Sequence, residues 1–509
     1  MSAKGRFVLS RPARMRKLEA TLCAAVALVA ASGARPAAAR PRPEVADHVT
    51  LVYTADLGGY LEPCGCSQDQ RGGLPRAAAV LQKIRAEGQP VLFVGGGDLL
   101  FESALTAETS AQELLKAQTV AAALEKMKLA TTVMGERDLL AGAAFARRTG
   151  LPFAPALVGR VAVGELGNVP PAPVRIGVVH EGGTRAALGH ADEAKRAGLA
   201  LLLAAHRDSL LQDDANRALL DAAVPVVQVQ GRGQSLARID LFLRGDLSRG
   251  FTVLTGAAQR DEELELTEHR RLEYSRRREA ALAAGQVELA RALAAKIAEL
   301  EARARELRAQ PLPDPPPDRP SLRVSFIQLT ESLPEDREVR TLLTRYYGEV
   351  AKLNLAQARA QKRPCPDPSS GSATYIGVDQ PPRGGTLACS GCHAPAIQHW
   401  KGTGHAGAFE TLVKTRRQYD LDCVSCHVTG WKQPGGACNV AATEGRRDVQ
   451  CEACHGPASL HALDPPGHID RSPPEERCRA CHTPDSSTHF EYTSYLKRIL
   501  GPGHGQVAR

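Results

Sequence analysis

Four copies of one five-residue pattern, Cys-Xaa-Xaa-Cys-His, fall in the last quarter of this 509-residue chain. They are Cys389-Ser-Gly-Cys392-His393, Cys423-Val-Ser-Cys426-His427, Cys451-Glu-Ala-Cys454-His455 and Cys478-Arg-Ala-Cys481-His482. Two thiols at this spacing reach the two vinyl groups along one edge of a porphyrin, and the adjoining imidazole reaches the iron. A zinc ribbon needs no His after every Cys pair, and a thioredoxin-like pair occurs once, so the repetition argues against both. The eight Cys are therefore read as thioether sites for four covalently bound haem c groups. His393, His427, His455 and His482 are read as the proximal iron ligands.

Four porphyrins within residues 386–509 leave little room for a protein core, so short helices and irregular loops are expected around them. The chain's four Met are Met1, Met15, Met127 and Met134, all outside this region. High-potential Met/His ligation therefore has no local donor. Within residues 386–509 six His lie outside the motifs: His399, His405, His461, His468, His489 and His504. Bis-histidine ligation at most haems follows, with low reduction potentials.

The N-terminal residues read as an export signal. Residues 1–17 hold six basic side chains and no acid, an apolar run covers 18–31, and small residues lead to Ala39. A secretory signal peptide over 1–39 is expected, with the rest of the chain in the periplasm or another extracytoplasmic space. The apolar run is shorter than the ~20 residues of a membrane-spanning helix, so no stable membrane span is expected after cleavage. The signal carries seven of the 64 basic residues and one of the 56 acidic ones, leaving 57 and 55. The remaining chain is close to neutral, which gives no reason to expect a nucleic acid partner.

Between the signal and the haem motifs the pattern is α/β. Strands are expected near 49–53, 91–94, 130–134, 174–179, 199–204, 224–229 and 238–243, with helices at 107–128 and 211–223. Residues 47–256 form this domain. Residues 261–309 read as helix broken at Gly285, and 310–360 as a Pro-rich spacer with one strand and one helix completing the first domain. Residues 362–385 read as a linker.

The run His399-Trp400-Lys401-Gly402-Thr403-Gly404-His405-Ala406 resembles the segment after the first haem in tetrahaem cytochromes of the hydroxylamine-oxidation pathway. The stretches 423–430 and 449–461 resemble that family's second and third haem segments, so the likeness covers about 374–500. It implies that His405 and His461 are distal ligands, each serving a haem other than the one at its nearest motif. His489 and His504, around the less distinctive fourth segment, are the further candidates. In this family one haem can lack a strong sixth ligand.

Residues 54–63, from Thr54-Ala55-Asp56 to Leu61-Glu62-Pro63, resemble the opening motif of calcineurin-type metallophosphoesterases of the 5′-nucleotidase branch. Gly97-Asp98 matches the second motif, and the likeness covers about 47–345. It implies an αββα sandwich with a dimetal site at strand ends, where two metals clamp a phosphate and activate water. This chain departs from the ligand pattern. Gly58 stands where a His is expected, Gly135-Glu136-Arg137-Asp138 replaces Gly-Asn-His-Asp, and Gly231-Arg232-Gly233-Gln234 replaces Gly-His-x-His. Asp56, Asp98 and His206 are the ligands left. Arginine cannot deprotonate to bind metal, so Arg137 or Arg232 is expected to pair with Asp56 or Asp98 in a dismantled site.

Cys64 and Cys66, one residue apart beside that site, are candidate redox thiols. Cys365 and Cys438 flank the first two motifs and are candidates for a disulfide. Three functions fit these features. The first is an electron carrier with redox protein partners in the periplasmic electron-transfer chain. The second is a multihaem enzyme acting on a small nitrogen or sulfur compound at a five-coordinate haem. The third is an active phosphoesterase with an appended cytochrome.

Overall fold

The computed structural model describes residues 47–63, 70–154, 174–180, 184–205, 219–229, 231–361, 365–380, 389–465, 467–483, 486–487 and 490–501. The expected signal peptide, residues 1–39, lies outside them, as do Cys64, Cys66, His206, His489 and His504.

Among the described residues nine strands build the N-terminal region: β1 His48–Thr54, β2 Val91–Gly95, β3 Leu129–Thr132, β4 Ile176–His180, β5 Leu201–Ala205, β6 Val226–Gln228, β7 Ser235–Phe242, β8 Thr252–Val253 and β9 Ser321–Gln328. Six form one sheet in the order β3-β2-β1-β7-β9-β8, and β4-β5-β6 form a second. The first sheet is mixed. β1 runs parallel to β2 and antiparallel to β7, while every pairing in the second sheet is parallel.

The helices of this region are α1 Leu74–Arg85, α2 Ser110–Lys126, α3 Ala143–Arg148, α4 Thr184–Arg196, α5 Ala257–Ala283, α6 Val287–Ala309 and α7 Arg337–Ala360. The period of two along each strand sorts its residues between two cores. Val49, Leu51 and Tyr53 of β1 face the second sheet and meet Ile176, Leu201 and Val227. Val52 points the other way, into a core with Leu81 of α1, Leu124 of α2 and Leu343 of α7. The outer face of the second sheet packs Leu202 and Val226 against Ala191 and Ala194 of α4. The layers are helix, sheet, sheet, helix, an αββα sandwich.

Gly285, at φ 70°, separates α5 from α6. A left-handed residue there turns the chain, and glycine adopts it without strain. The two helices run as a hairpin tied by Arg303 to Glu263 and by Arg308 to Glu268 at 2.6 Å. Asp336 starts α7 by accepting the N–H of Val339 at 2.8 Å, the usual helix N-cap contact.

The C-terminal region has, among the described residues, seven short helices: α8 Cys389–Lys401, α9 Ala408–Thr415, α10 Leu421–Val424, α11 Cys451–His455, α12 Ser459–Leu463, α13 Glu475–Arg479 and α14 Tyr492–Ile499. A small apolar cluster is buried there, around Phe409, Val424, Val428 and Val440, and Ala358 of α7 joins it. Cys365 and Cys438 form a disulfide. Among the described residues no helix is long and apolar enough to cross a membrane.

Candidate functional site

Each Cys-Xaa-Xaa-Cys-His motif begins in or next to a helical turn. α11 spans the third motif, α8 opens on the first, α10 carries Cys423 and α13 carries Cys478. Residues three and four apart share one helix face, so a single turn aligns two thiols and an imidazole.

The motifs lie close to one another in an order that differs from their order in the chain. Burial pushes the Cys389 thiol up to about 11, and neighbouring Cys451 adds to the shift. Burial likewise pushes Cys454 up to about 11, with Cys478 beside it. Cys426 and Cys481 share a hydrogen bond. The first motif thus adjoins the third, the third the fourth, and the fourth the second.

The imidazoles are fixed by their Nδ1 atoms. His427 Nδ1 meets the Ala408 carbonyl at 2.5 Å, His455 Nδ1 that of Asp470 at 2.7 Å, and His461 Nδ1 that of Gly467 at 2.9 Å. A carbonyl only accepts, so Nδ1 carries the hydrogen and Nε2 keeps its lone pair. His482 Nδ1 meets the Ser487 hydroxyl at 3.2 Å. Carbonyl partners of this kind orient metal-ligating imidazoles.

Two imidazole pairs face one another. The ring centres of His393 and His461 are 6.2 Å apart, and so are those of His405 and His482. Metal–imidazole bonds of about 2.0–2.1 Å on both sides of one ion, plus the reach to each ring centre, give roughly 6 Å. The residues therefore fit iron held between each pair. Burial lowers the His405 pKa, and burial followed by the nearby His405 lowers that of His482. The His405 segment is braced: its carbonyl accepts the Val449 N–H at 3.1 Å, and Trp400 Nε1 donates to the Val449 carbonyl at 2.9 Å. His399, which the motifs give no role, buries Nε2 without a hydrogen-bond partner.

A second cluster lies at the ends of β1, β2 and β3. Asp56 and Asp98 leave β1 and β2 with φ of 51° and 52°. Arg137 bridges them: Nε donates to Asp98 Oδ2 at 2.6 Å and Nη2 to Asp56 Oδ1 at 2.9 Å. The aspartate side chains are 1% and 4% exposed, so the guanidinium covers them. Burial works against the Arg137 charge, but Asp98 and then Asp56 outweigh it and hold its pKa above the usual value. Asp138 sits behind, accepting the backbone N–H groups of Asp98, Leu99, Leu100 and Gly135. A Cβ at Gly135 would lie 2.1 Å from Asp98 Oδ1, so only glycine fits this corner. Of the two arginines expected to pair here, Arg137 is the one that reaches the aspartates, and Arg232 lies elsewhere. Its side chain turns to Glu102, while its backbone N–H meets the Asp56 carbonyl at 2.7 Å. Among the described residues no group of three or more His, Cys, Asp or Glu could hold a metal ion.

The two regions meet through polar contacts that sequence reading did not anticipate. Buried Asp420, the N-cap of α10, accepts from Gln112 Nε2 of α2 at 2.8 Å, and Gln112 Oε1 accepts from Asn354 of α7 at 2.6 Å. Lys116 reaches Asp422 at 2.7 Å. Arg417 donates to the Pro63 carbonyl at 2.8 Å, pairs with Glu62, and lies 5.0 Å over the Tyr347 ring. The second haem motif is therefore anchored on the α/β layers. Gln112 and Asn354 are the polar members of otherwise mostly apolar buried helix faces, but nothing in the sequence says what they meet.

Comparison with known proteins agrees with the motif reading. Residues 388–456 match the family model for cytochrome c554 and c-prime. Cytochrome c-554 of Nitrosomonas europaea is 33% identical over a 156-residue alignment that covers 23% of this chain and 66% of that protein. The chain thus spans slightly under two thirds of this relative's length. Among solved structures, a 5′-nucleotidase precursor from Thermus thermophilus is 12% identical with a TM-score of 0.31, covering 82% of this chain and 74% of that one. Sulfate thiohydrolase SoxB, also of Thermus thermophilus, is 13% identical with a TM-score of 0.30, covering 61% and 62%. Scores this low carry no argument, and the fold assignment rests on the layers described above.

Proposed function

We propose that this chain, whose C-terminal region is similar to cytochrome c554, is an extracytoplasmic tetrahaem electron-transfer protein. Its α/β sandwich no longer holds a dimetal site. The observation that carries the first part is the pair of imidazole pairs, each with 6.2 Å between ring centres. Haem c supplies reversible one-electron chemistry when bound.

The chain's own residues do the rest. Cys389, Cys392, Cys423, Cys426, Cys451, Cys454, Cys478 and Cys481 anchor the porphyrin edges. His393 with His461 would hold the iron of the first motif, and His482 with His405 that of the fourth. His427 and His455 serve the second and third. The carbonyls of Ala408, Gly467 and Asp470 keep Nε2 of the facing imidazoles available. Contact between successive motifs supports electron passage from the first through the third and fourth to the second. Redox proteins are the partners at either end.

The second part rests on Arg137. One guanidinium already pairs with both Asp56 and Asp98, the two carboxylates that metals would share. Haem counting by pyridine haemochrome and intact mass tests the first part. Four haems per chain are expected. Two or fewer, or a sulfur–iron charge-transfer band, would overturn it.

A further inference from the structure

A cleft of about 600 Å³ lies where the sandwich meets the haem region. Small-molecule sites span roughly 300–1,000 Å³ and concentrate at such junctions. Among the described residues five basic side chains and three carboxylates line it. Two of the carboxylates are committed. Glu62 is held by Arg340 at 2.6 Å and by Arg417 at 2.5 Å. Glu335 accepts from Arg340 at 2.7 Å and faces Arg76 at 3.9 Å.

Lys414 and Arg416 complete the basic set, and neither has a carboxylate partner among the described residues. Both come from the C-terminal end of α9. Arg416 holds φ 62°, a left-handed conformation that glycine adopts with less strain. The described lining therefore carries a surplus of two positive charges, five against three. Its floor is rigid before any ligand arrives, because Arg417 is locked between Glu62, the Pro63 carbonyl and the Tyr347 ring. Gln70, on the same floor, donates to the Ser486 carbonyl at 2.8 Å. The surplus charge thus sits on two exposed side chains, Lys414 and Arg416, beside a fixed floor, where a doubly charged anion meets both.

We propose that this cleft binds a small, multiply charged anion, an oxyanion or a polycarboxylate, with Lys414 and Arg416 supplying the charge that the fixed arginines do not. This site is separate from the haem ligands, so its failure would leave the electron-transfer reading untouched. The test is titration calorimetry on the haem-loaded protein at low ionic strength, with sodium sulfate and, separately, sodium citrate. One site per chain is expected, with a dissociation constant near or below ~1 mM for at least one probe. Saturation by sulfate alone assigns an oxyanion, and by citrate alone a polycarboxylate. The double variant Lys414→Ala/Arg416→Ala should weaken binding about tenfold or more while its haem spectrum stays unchanged. Arg291→Ala, at an exposed position outside the cleft, should leave binding as it was. Failure of both probes to saturate by ~50 mM, or an equal loss in both variants, overturns the proposal.

Discussion

Arg137 holds Asp98 by two atoms at once: its backbone N–H meets Oδ1 at 2.7 Å and its Nε–H meets Oδ2 at 2.6 Å. The same guanidinium extends to Asp56. A divalent ion placed beside it would meet a positive charge at about 4 Å, and each pair of unit charges there repels by about 4 kcal/mol at an effective dielectric of 20.

The first prediction follows from that grip. Elemental analysis of the purified protein should find iron without stoichiometric zinc or manganese. Phosphate-ester hydrolysis dependent on added divalent metal, and lost in Asp98→Ala, would refute it. Arg137→Ala should destabilise the fold by about 3–5 kcal/mol, because it leaves two buried carboxylates without their cation. Denaturant titration reads this directly, and a loss under ~1 kcal/mol would show that the pair is not the buried anchor described.

Distal ligation gives the second. His461→Ala should turn one haem high-spin, and His405→Ala should turn a different one high-spin. Electron paramagnetic resonance separates the two signals. If both variants affected the same haem, or neither changed its spin state, the imidazole pairing would be wrong.

The third concerns pH. Burial, reinforced by Asp422, pushes the Asp420 carboxyl up to about 7. Its unfolded value is about 3.9. A carboxyl with a raised folded pKa contributes fully below the unfolded pKa and loses its contribution as pH rises through the folded one. Stability should therefore decline between about pH 4 and pH 7 on account of this group. Asp420→Asn keeps the oxygen that accepts from Gln112 and should flatten that part of the profile. An unchanged profile in the variant would assign the slope to other groups.

The fourth rests on sequence alone, since Cys64 and Cys66 lie outside the described residues. If they form a redox pair, thiol labelling should rise by two after mild reduction, and Cys66→Ser should abolish the rise. Equal labelling before and after would make them two structural thiols.

The features most legible in the sequence were those set by local chemistry. Four repeated motifs located the haem region, and short apolar runs placed β1, β2 and β7 within a few residues. Gly285 marked the turn between α5 and α6 because a left-handed residue is written as glycine. What was not legible depends on residues distant in sequence. Nothing local says that His461 faces His393, or that Arg137 rather than Arg232 reaches Asp98. Nor does the chain show that Gln112 meets Asp420 across some three hundred residues, because a buried polar contact is decided by the partner and not by the residue itself.

The disulfide between Cys365 and Cys438 has a consequence for how the molecule is made. It closes a loop of 73 residues in which Cys389, Cys392, Cys423 and Cys426 all reside. A chain that carries haem c at these four Cys, as proposed, must oxidise one pair of sulfurs while keeping its neighbours reduced until each captures a vinyl group. Six sulfurs within one stretch allow fifteen complete pairings, of which few are harmless. Biogenesis therefore has to be ordered in time, with thioether formation at the first two motifs completed before the bridge is sealed, or with a reductant guarding those four thiols. Oxidising conditions applied too early would yield scrambled, haem-poor chains rather than a misfolded sandwich.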